Sequence, residues 1–209
     1  MTYKQRHIRG EMSLRYAILG LLAIRPRTGY DISKMYDRSI TFFWHASHSQ
    51  IYPELGKLKE EGLVEVEVFD EESRPRKVYS ITEKGREELL RWLREPTDLP
   101  PFRNAFLLKA FFFGLLPKED ILSQLKHEKK LHEDRLATYR AIETVLLSEK
   151  ERAERVISAG EPVEGLSPEE AEQRLRLGTF WYLTLRWGIM YEEFQIEWCE
   201  RAIELMSDE

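Results

Sequence analysis

A chain of 209 residues with 42% hydrophobic and 33% charged residues can bury one large core, or the cores of two domains of about 100 residues each. The formal charge of −5 is unevenly divided: residues 1–95 carry 17 Lys+Arg against 15 Asp+Glu, and the remainder 15 against 22. The acidity therefore belongs to the second half, and neither half has the strongly basic balance that would by itself mark a nucleic-acid binder.

A single cysteine, Cys199, excludes an internal disulfide and fits a reducing compartment. Basic residues up to Arg15 precede the apolar run Ala17 to Ile24 and imitate a signal peptide, but Arg25-Pro26-Arg27 stands where a cleavage site would be. The apolar run Phe106 to Leu116 is interrupted by Lys109 and falls short of the ~20 residues of a membrane span. The expectation is a cytoplasmic protein without membrane association.

Residues 1–12 are polar, show no apolar period and read as a flexible arm. A first helix is expected from about Ser13 to Ile24, with Leu14, Ile18, Leu21 and Leu22 as its core stripe and Arg25-Pro26 as its end. Thr28 caps a second helix carrying Ile32, Met35 and Tyr36, with Gly29 at the tight junction. After a loop around residues 40–45 a third helix begins near Ser47 to Gln50. Its Ile51, Leu55 and Leu58 recur at helical spacing and must face a core, leaving Gln50, Glu54, Lys57 and Glu61 as a polar face open to reading from outside. Gly62 closes it in the left-handed region.

A hairpin follows directly. Val64, Val66 and Val68 alternate with Glu65 and Glu67, the period-two pattern of a half-buried strand, and the second strand runs from Arg76 to Thr82. Arg74, Arg76 and Lys77 gather where the hairpin re-enters, the place where a wing approaches phosphates. Asp70, Glu71 and Glu72 at the tip oppose deep groove insertion. Residues 83–94 make a fourth helix.

Three prolines in the six residues 96–101 read as a semi-rigid linker, so that residues 13–95 form one domain and residues 102–209 another. The second domain is expected to be all helical: one short apolar helix over residues 102–116, a long helix from Pro117 to about Arg155, a loop over residues 160–168, and a last long helix to about Met206. From Ile121 the positions Leu125, Glu128, His132, Arg135, Tyr139, Ile142 and Leu146 follow a 4-3 spacing with apolar ends and a charged centre. The last helix is aromatic on several sides, through Phe180, Trp181, Tyr182, Trp187, Tyr191, Phe194 and Trp198. Such a helix needs more than one neighbour to cover it, and a second subunit related by a twofold axis is the simplest cover.

A helix-turn-helix sets the N-terminal end of its second helix against base edges. Ser47, Ser49, Gln50 and Tyr52 are therefore the candidates for base reading, with Thr28 and Tyr30 at the start of the preceding helix as further DNA contacts. Gln can bridge N6 and N7 of adenine, and Ser can donate or accept at several edges; Ser47 or Ser49 can equally serve as the helix cap. Lys57, Arg74, Arg76 and Lys77 are candidate phosphate contacts, which position without specifying. Pro53 sets the regular helix to start close to Ser49, and Gly56, which costs about 1 kcal/mol against Ala in mid-helix, suggests the close approach of another backbone or of DNA.

His45 and His48, or His127 and His132, have no Cys or paired carboxylate to complete a metal site. No nucleophile motif and no Gly-rich phosphate loop is present, so neither an enzyme nor a cofactor is expected. The aromatic stripe of the last helix reads first as core. With Arg186 beside Trp187 it also describes a pocket for a flat, weakly acidic molecule.

The strings LRYAILGLL, TGYDI, FW followed by HSQIYPELGKLKEEGLVE, RKVYSITEKG, and LRWGIMYEEFQIEW closely resemble the PadR transcriptional regulators, in particular the larger subgroup with a long helical C-terminal domain. The resemblance implies a mainly α fold with a small β-hairpin: a winged helix-turn-helix N-domain and an all-α C-terminal dimerisation domain. It further implies a homodimer, binding to a double-stranded DNA operator, and repression relieved by a small effector, of which an aromatic molecule is one class. Members that sense phenolic acids hold the effector between the two domains, which implies Tyr16, Trp44 and His48 as ligand neighbours beside Arg186 and Trp187. A winged-helix module that touches protein rather than DNA, or an activator working with a partner protein, is the alternative expectation.

Overall fold

The computed structural model describes residues 3–40, 48–69, 76–97, 99, 101–163 and 165–208, the side chains of residues 3–13, 38, 48 and 208 excepted. The chain divides into two compact units, Met1–Pro101 and Phe102–Glu209.

In the first unit α1 spans Tyr3–Ile24 and so begins well before Ser13, where the apolar period starts. Lys4, Gln5, Arg6, Glu11 and Met12 are good helix formers, and the single Gly10 among them costs only about 1 kcal/mol. Apolar period marks where a helix is buried, not how far it extends. The short strand β1, Arg27–Thr28, follows, then α2, Gly29–Arg38, and α3, His48–Glu60. The hairpin is β2, Val64–Phe69, and β3, Arg76–Ile81; α4 spans Glu83–Arg94. The sheet is antiparallel in the order β1-β3-β2, with Thr28 opposite Val78 and Val66 opposite Tyr79. β1 is a two-residue strand, too short to show a period, and its pairing with β3 was not foreseeable from sequence.

The core of this unit is built mainly from aliphatic side chains. Leu14, Ile18, Leu19, Leu21 and Leu22 of α1 meet Ile32 and Tyr36 of α2, Ile51, Leu55 and Leu58 of α3, and Leu89 of α4. Gly62, at φ +71°, turns the chain from α3 into β2. Gly85 of α4 lies so close to the hairpin that a Cβ there would stand 2.1 Å from the Leu63 carbonyl oxygen. Of the strand valines, Val64 is buried and Val66 partly so, but Val68 is exposed, because the outer end of the hairpin runs past the core.

In the second unit the apolar run after Pro101 is not one helix. Asn104 accepts hydrogen bonds from the N–H groups of Phe106 and Leu107 and so starts α5, Ala105–Ala110. A 3-10 turn, Phe113–Leu115, then leads to Pro117. Gly114 and Pro117 stop a continuous helix. α6, Lys118–Ala159, and α7, Pro168–Asp208, are long and antiparallel: Lys129 pairs with Glu200, Glu143 with Arg186, and Glu149 with Arg174. Their turn carries a small apolar cluster of Ala153, Val156, Leu166 and Ala171. Ser167 and Glu170 form a reciprocal capping box that starts α7.

Candidate nucleic-acid interface

The start of α2 is set by its cap. Thr28 Oγ1 accepts the Asp31 N–H at 3.1 Å, and the Asp31 carboxylate accepts both the Thr28 hydroxyl at 2.7 Å and the Thr28 N–H at 3.3 Å. The Thr28 hydrogen bond is the chief cause that holds the Asp31 carboxyl below its usual range, and the positive charge of Arg76 adds to the effect. Thr28 is thus engaged in capping, while Tyr30, two residues on, is 67% exposed with the Lys34 ammonium 6.0 Å from its ring centre.

α3 carries the candidate reading residues. Ile51, Leu55 and Leu58 are anchored in the core, and Ser49, Gln50 and Tyr52 are exposed. Ser47 lies outside the described residues, as do Trp44, Arg74 and the acidic tip from Asp70 to Glu72; His48 opens the helix. One expectation needs correction: Glu54 is only 6% exposed and is not part of an open polar face. It turns toward α1, where it pairs with Arg15 at 3.9 Å, and Lys57 reaches it at 3.5 Å. Arg15 also binds Glu61. A buried carboxylate needs partners, and these two cations supply them while stapling α1 to α3. Lys57 therefore combines an ion pair with an exposed position. Gly56 faces solvent, and no described atom would come within 4 Å of a Cβ on it; the close approach of another backbone of this chain is not found.

Arg76 and Lys77 are exposed on β3, opposite Phe69 and Val68. The unit thus carries Tyr30, Ser49, Gln50, Tyr52, Lys57, Arg76 and Lys77 as exposed residues of α2, α3 and β3.

The candidate effector residues are distributed over both units. Tyr16 is buried; its hydroxyl donates to Glu88 at 2.8 Å and its ring stacks on Trp92 at 4.5 Å, 6° from parallel. Burial, chiefly, pushes its phenol above the ordinary range. Glu88 and Trp92 were not singled out by sequence, although their i, i+4 spacing on α4 places both on one face. Arg186 donates to Glu143 at 3.4 Å, as does the Tyr182 hydroxyl at 3.3 Å. Trp187 is 66% exposed and stacks on Tyr191 at 5.6 Å.

The charged centre of the α6 stripe also has a partner that sequence did not reveal. Glu192 of α7, 2% exposed, binds His132 Nδ1 and takes a hydrogen bond from Arg135 at 3.3 Å; Glu128 lies 3.5 Å from His132 Nε2. Among the described residues no group of three or more His, Cys, Asp or Glu could hold a metal ion, and no helix is long and apolar enough to cross a membrane.

Comparison with known proteins agrees with this arrangement. Residues 18–91 match the model of the transcriptional regulator PadR-like family, and residues 102–207 match that of the virulence activator alpha C-terminal region. The chain is 28% identical to the negative transcriptional regulator PadR of Bacillus subtilis over 93% of this chain and 97% of that one. The crystal structure of that protein with operator DNA superposes with a TM-score of 0.73 at 27% identity, covering 93% of this chain and 99% of the other; its complex with p-coumaric acid gives 0.67 at 27%, covering 93% and 98%. The virulence activator AphA of Vibrio cholerae gives 0.65 at 30% identity, covering 93% and 98%. With an N-terminal winged helix-turn-helix and a long helical C-terminal region matching over nearly its whole length, the chain belongs to the PadR-like family of transcriptional regulators.

Proposed function

We propose that the protein is a cytoplasmic, non-catalytic homodimer that binds a near-palindromic DNA operator as a repressor and leaves it when a small aromatic effector binds. In this reading residues 13–95 bind DNA, residues 96–101 link, and residues 102–209 dimerise. The observation that carries it is the division of α3: Ile51, Leu55 and Leu58 hold one face in the core while Ser49, Gln50 and Tyr52 stand exposed at its N-terminal end. That is the end a helix-turn-helix directs at base edges. Thr28, Tyr30, Lys57, Arg76 and Lys77 would contact the backbone, together with Arg74, and Ser47 would join Ser49, Gln50 and Tyr52 in reading bases; Ser47 and Arg74 lie outside the described residues. The many exposed aromatic side chains of the second unit, Phe111 at 82% exposure among them, support a twofold partner that would cover them. The B. subtilis relative crystallised with p-coumaric acid supports an aromatic effector, for which Tyr16, Trp44, His48, Arg186 and Trp187 are the candidate neighbours.

The deciding experiment is a gel shift and footprint on the DNA flanking the gene, at stated salt, repeated with a panel of aromatic acids. Two half-sites about 10 bp apart are expected, with affinity falling as salt rises and release by one class of acid. Gln50→Ala combined with Arg76→Ala should abolish the shift and leave the dimer intact by light scattering. A single protected half-site, or binding indifferent to salt, overturns the dimeric DNA-binding reading. A second reading, activation alongside a partner protein, is favoured by the match of residues 102–207 to a virulence-activator region; reporter expression that falls rather than rises when the gene is deleted would select it.

A further inference from the structure

The geometry points to Gly29 as the residue that sets the direction of the Tyr52 ring, and through it the base-pair preference of α3. The inference rests on the DNA-binding reading above and deepens it.

Gly29 is the first residue of α2 and does not adopt a positive φ. Nothing in its backbone therefore calls for glycine. The demand comes from outside the helix: a Cβ at position 29 would stand 2.6 Å from Tyr52 Cε1 and 3.3 Å from both Cδ1 and Cζ. All three atoms belong to one ring. The bare Cα of Gly29 is the seat against which that ring lies.

Neither backbone is free to yield. Gly29 follows Thr28, which is paired with Val78 in the sheet and locked to Asp31 by the capping box. Tyr52 follows Ile51, which is 1% exposed, and Leu55 one turn on is wholly buried, so α3 is held by its core face. A methyl group at position 29 would therefore turn the ring about its side-chain torsions rather than shift a helix. The ring is also the side chain placed to matter: Tyr52 is 54% exposed, one turn from exposed Ser49 on one side and from Gly56 on the other, where nothing described lies within 4 Å of a Cβ. A phenol held at that angle offers its hydroxyl to a base-edge acceptor and its ring to a thymine methyl. Its direction decides which base pair it meets.

The test starts from the DNA sequence that wild-type protein enriches from a random duplex library, with every base pair of the half-site then varied in turn at one salt concentration. Tyr52→Ala and Tyr52→Phe identify the base pair that Tyr52 reads, by an expected loss of about tenfold discrimination there. G29A should lose or change preference at that same base pair and keep wild-type discrimination elsewhere, with its circular dichroism and melting unchanged. In a Tyr52→Ala background G29A should have no further effect, because the ring it displaces is gone. Unchanged preference in G29A overturns the inference alone, as does uniform weakening or unfolding by G29A that persists in the Tyr52→Ala background, which would mark a backbone role. A wild-type protein that enriches no sequence overturns the DNA-binding reading and this inference with it.

Discussion

The two units differ in how much of their apolar surface they bury within themselves. The N-terminal unit buries one core of aliphatic and aromatic side chains and, beside it, the carboxylate of Glu54 held by Arg15 and Lys57. The C-terminal helix pair places a carboxylate, Glu192, at 2% exposure among His132, Arg135 and Glu128, while Trp187, Phe180 and Phe194 face outward. A domain that keeps its large apolar groups inside can be stable by itself. One that leaves more of them outside gains less from its own burial and has a surface that another chain can complete. The contrast teaches which unit draws more of its stability from its own apolar core.

The buried charge is the most sensitive point of that contrast. Glu192→Leu leaves the buried His132 ring without its carboxylate partner, and a buried polar group left unpaired costs about 1–3 kcal/mol. The urea midpoint of the C-terminal unit should fall accordingly. Joint replacement of His132 and Glu192 by Leu should recover most of the loss or exceed the native stability, since apolar pairs often replace buried polar pairs at little cost. If the double variant is as unstable as the single one, the network is a source of stability and the contrast drawn here fails.

In the N-terminal unit the corresponding weak point is steric. Gly85→Ala would set a methyl carbon 2.1 Å from the Leu63 carbonyl oxygen, so α4 and the hairpin must separate, at a cost of about 1–3 kcal/mol. A chemical-denaturation curve with an unchanged midpoint would show that this packing has slack.

The smallest effect is a dependence on alkaline pH. Burial raises the phenol of Tyr36 from 10.0 to about 12, and Tyr16 and Tyr79 move in the same direction, also chiefly by burial. Their folded pKa exceeds the unfolded one, so the folded state keeps protons that the unfolded chain has lost. Stability from Tyr36 is fully present below pH 10 and declines as pH rises through about 12. Urea midpoints at pH 9, 10 and 11, with absorbance at 295 nm, should show the decline, and Tyr36→Phe should flatten it. The C-terminal unit, where burial raises Tyr139, should show a weaker slope.

Much of the fold was legible before any coordinates. The i, i+4 stripe of Leu14, Ile18 and Leu22, the alternation of Val64 and Val66, and Gly62 at the end of α3 follow from local periods and from one residue with a special backbone. The candidate site was legible as far as helix position reaches: Ser49, Gln50 and Tyr52 lie outward because Ile51 and Leu55 must lie inward. Glu54 was misread because a polar residue between core positions ordinarily faces water, and only the arrival of Arg15 from α1 makes its burial affordable.

By itself, then, the amino-acid order determined the helices, the hairpin, their inward faces and the family they spell, because all of these depend on neighbours within a turn or two of chain. Tertiary structure alone decided which polar residues are buried, since that depends on partners distant in the chain, as Arg15 is from Glu54, or 60 positions apart, as for His132 and Glu192. It likewise decided that Gly29 lies under Tyr52. Charge pairing and ring contact act over a few ångströms of space, and no local period records which distant residue will fill them.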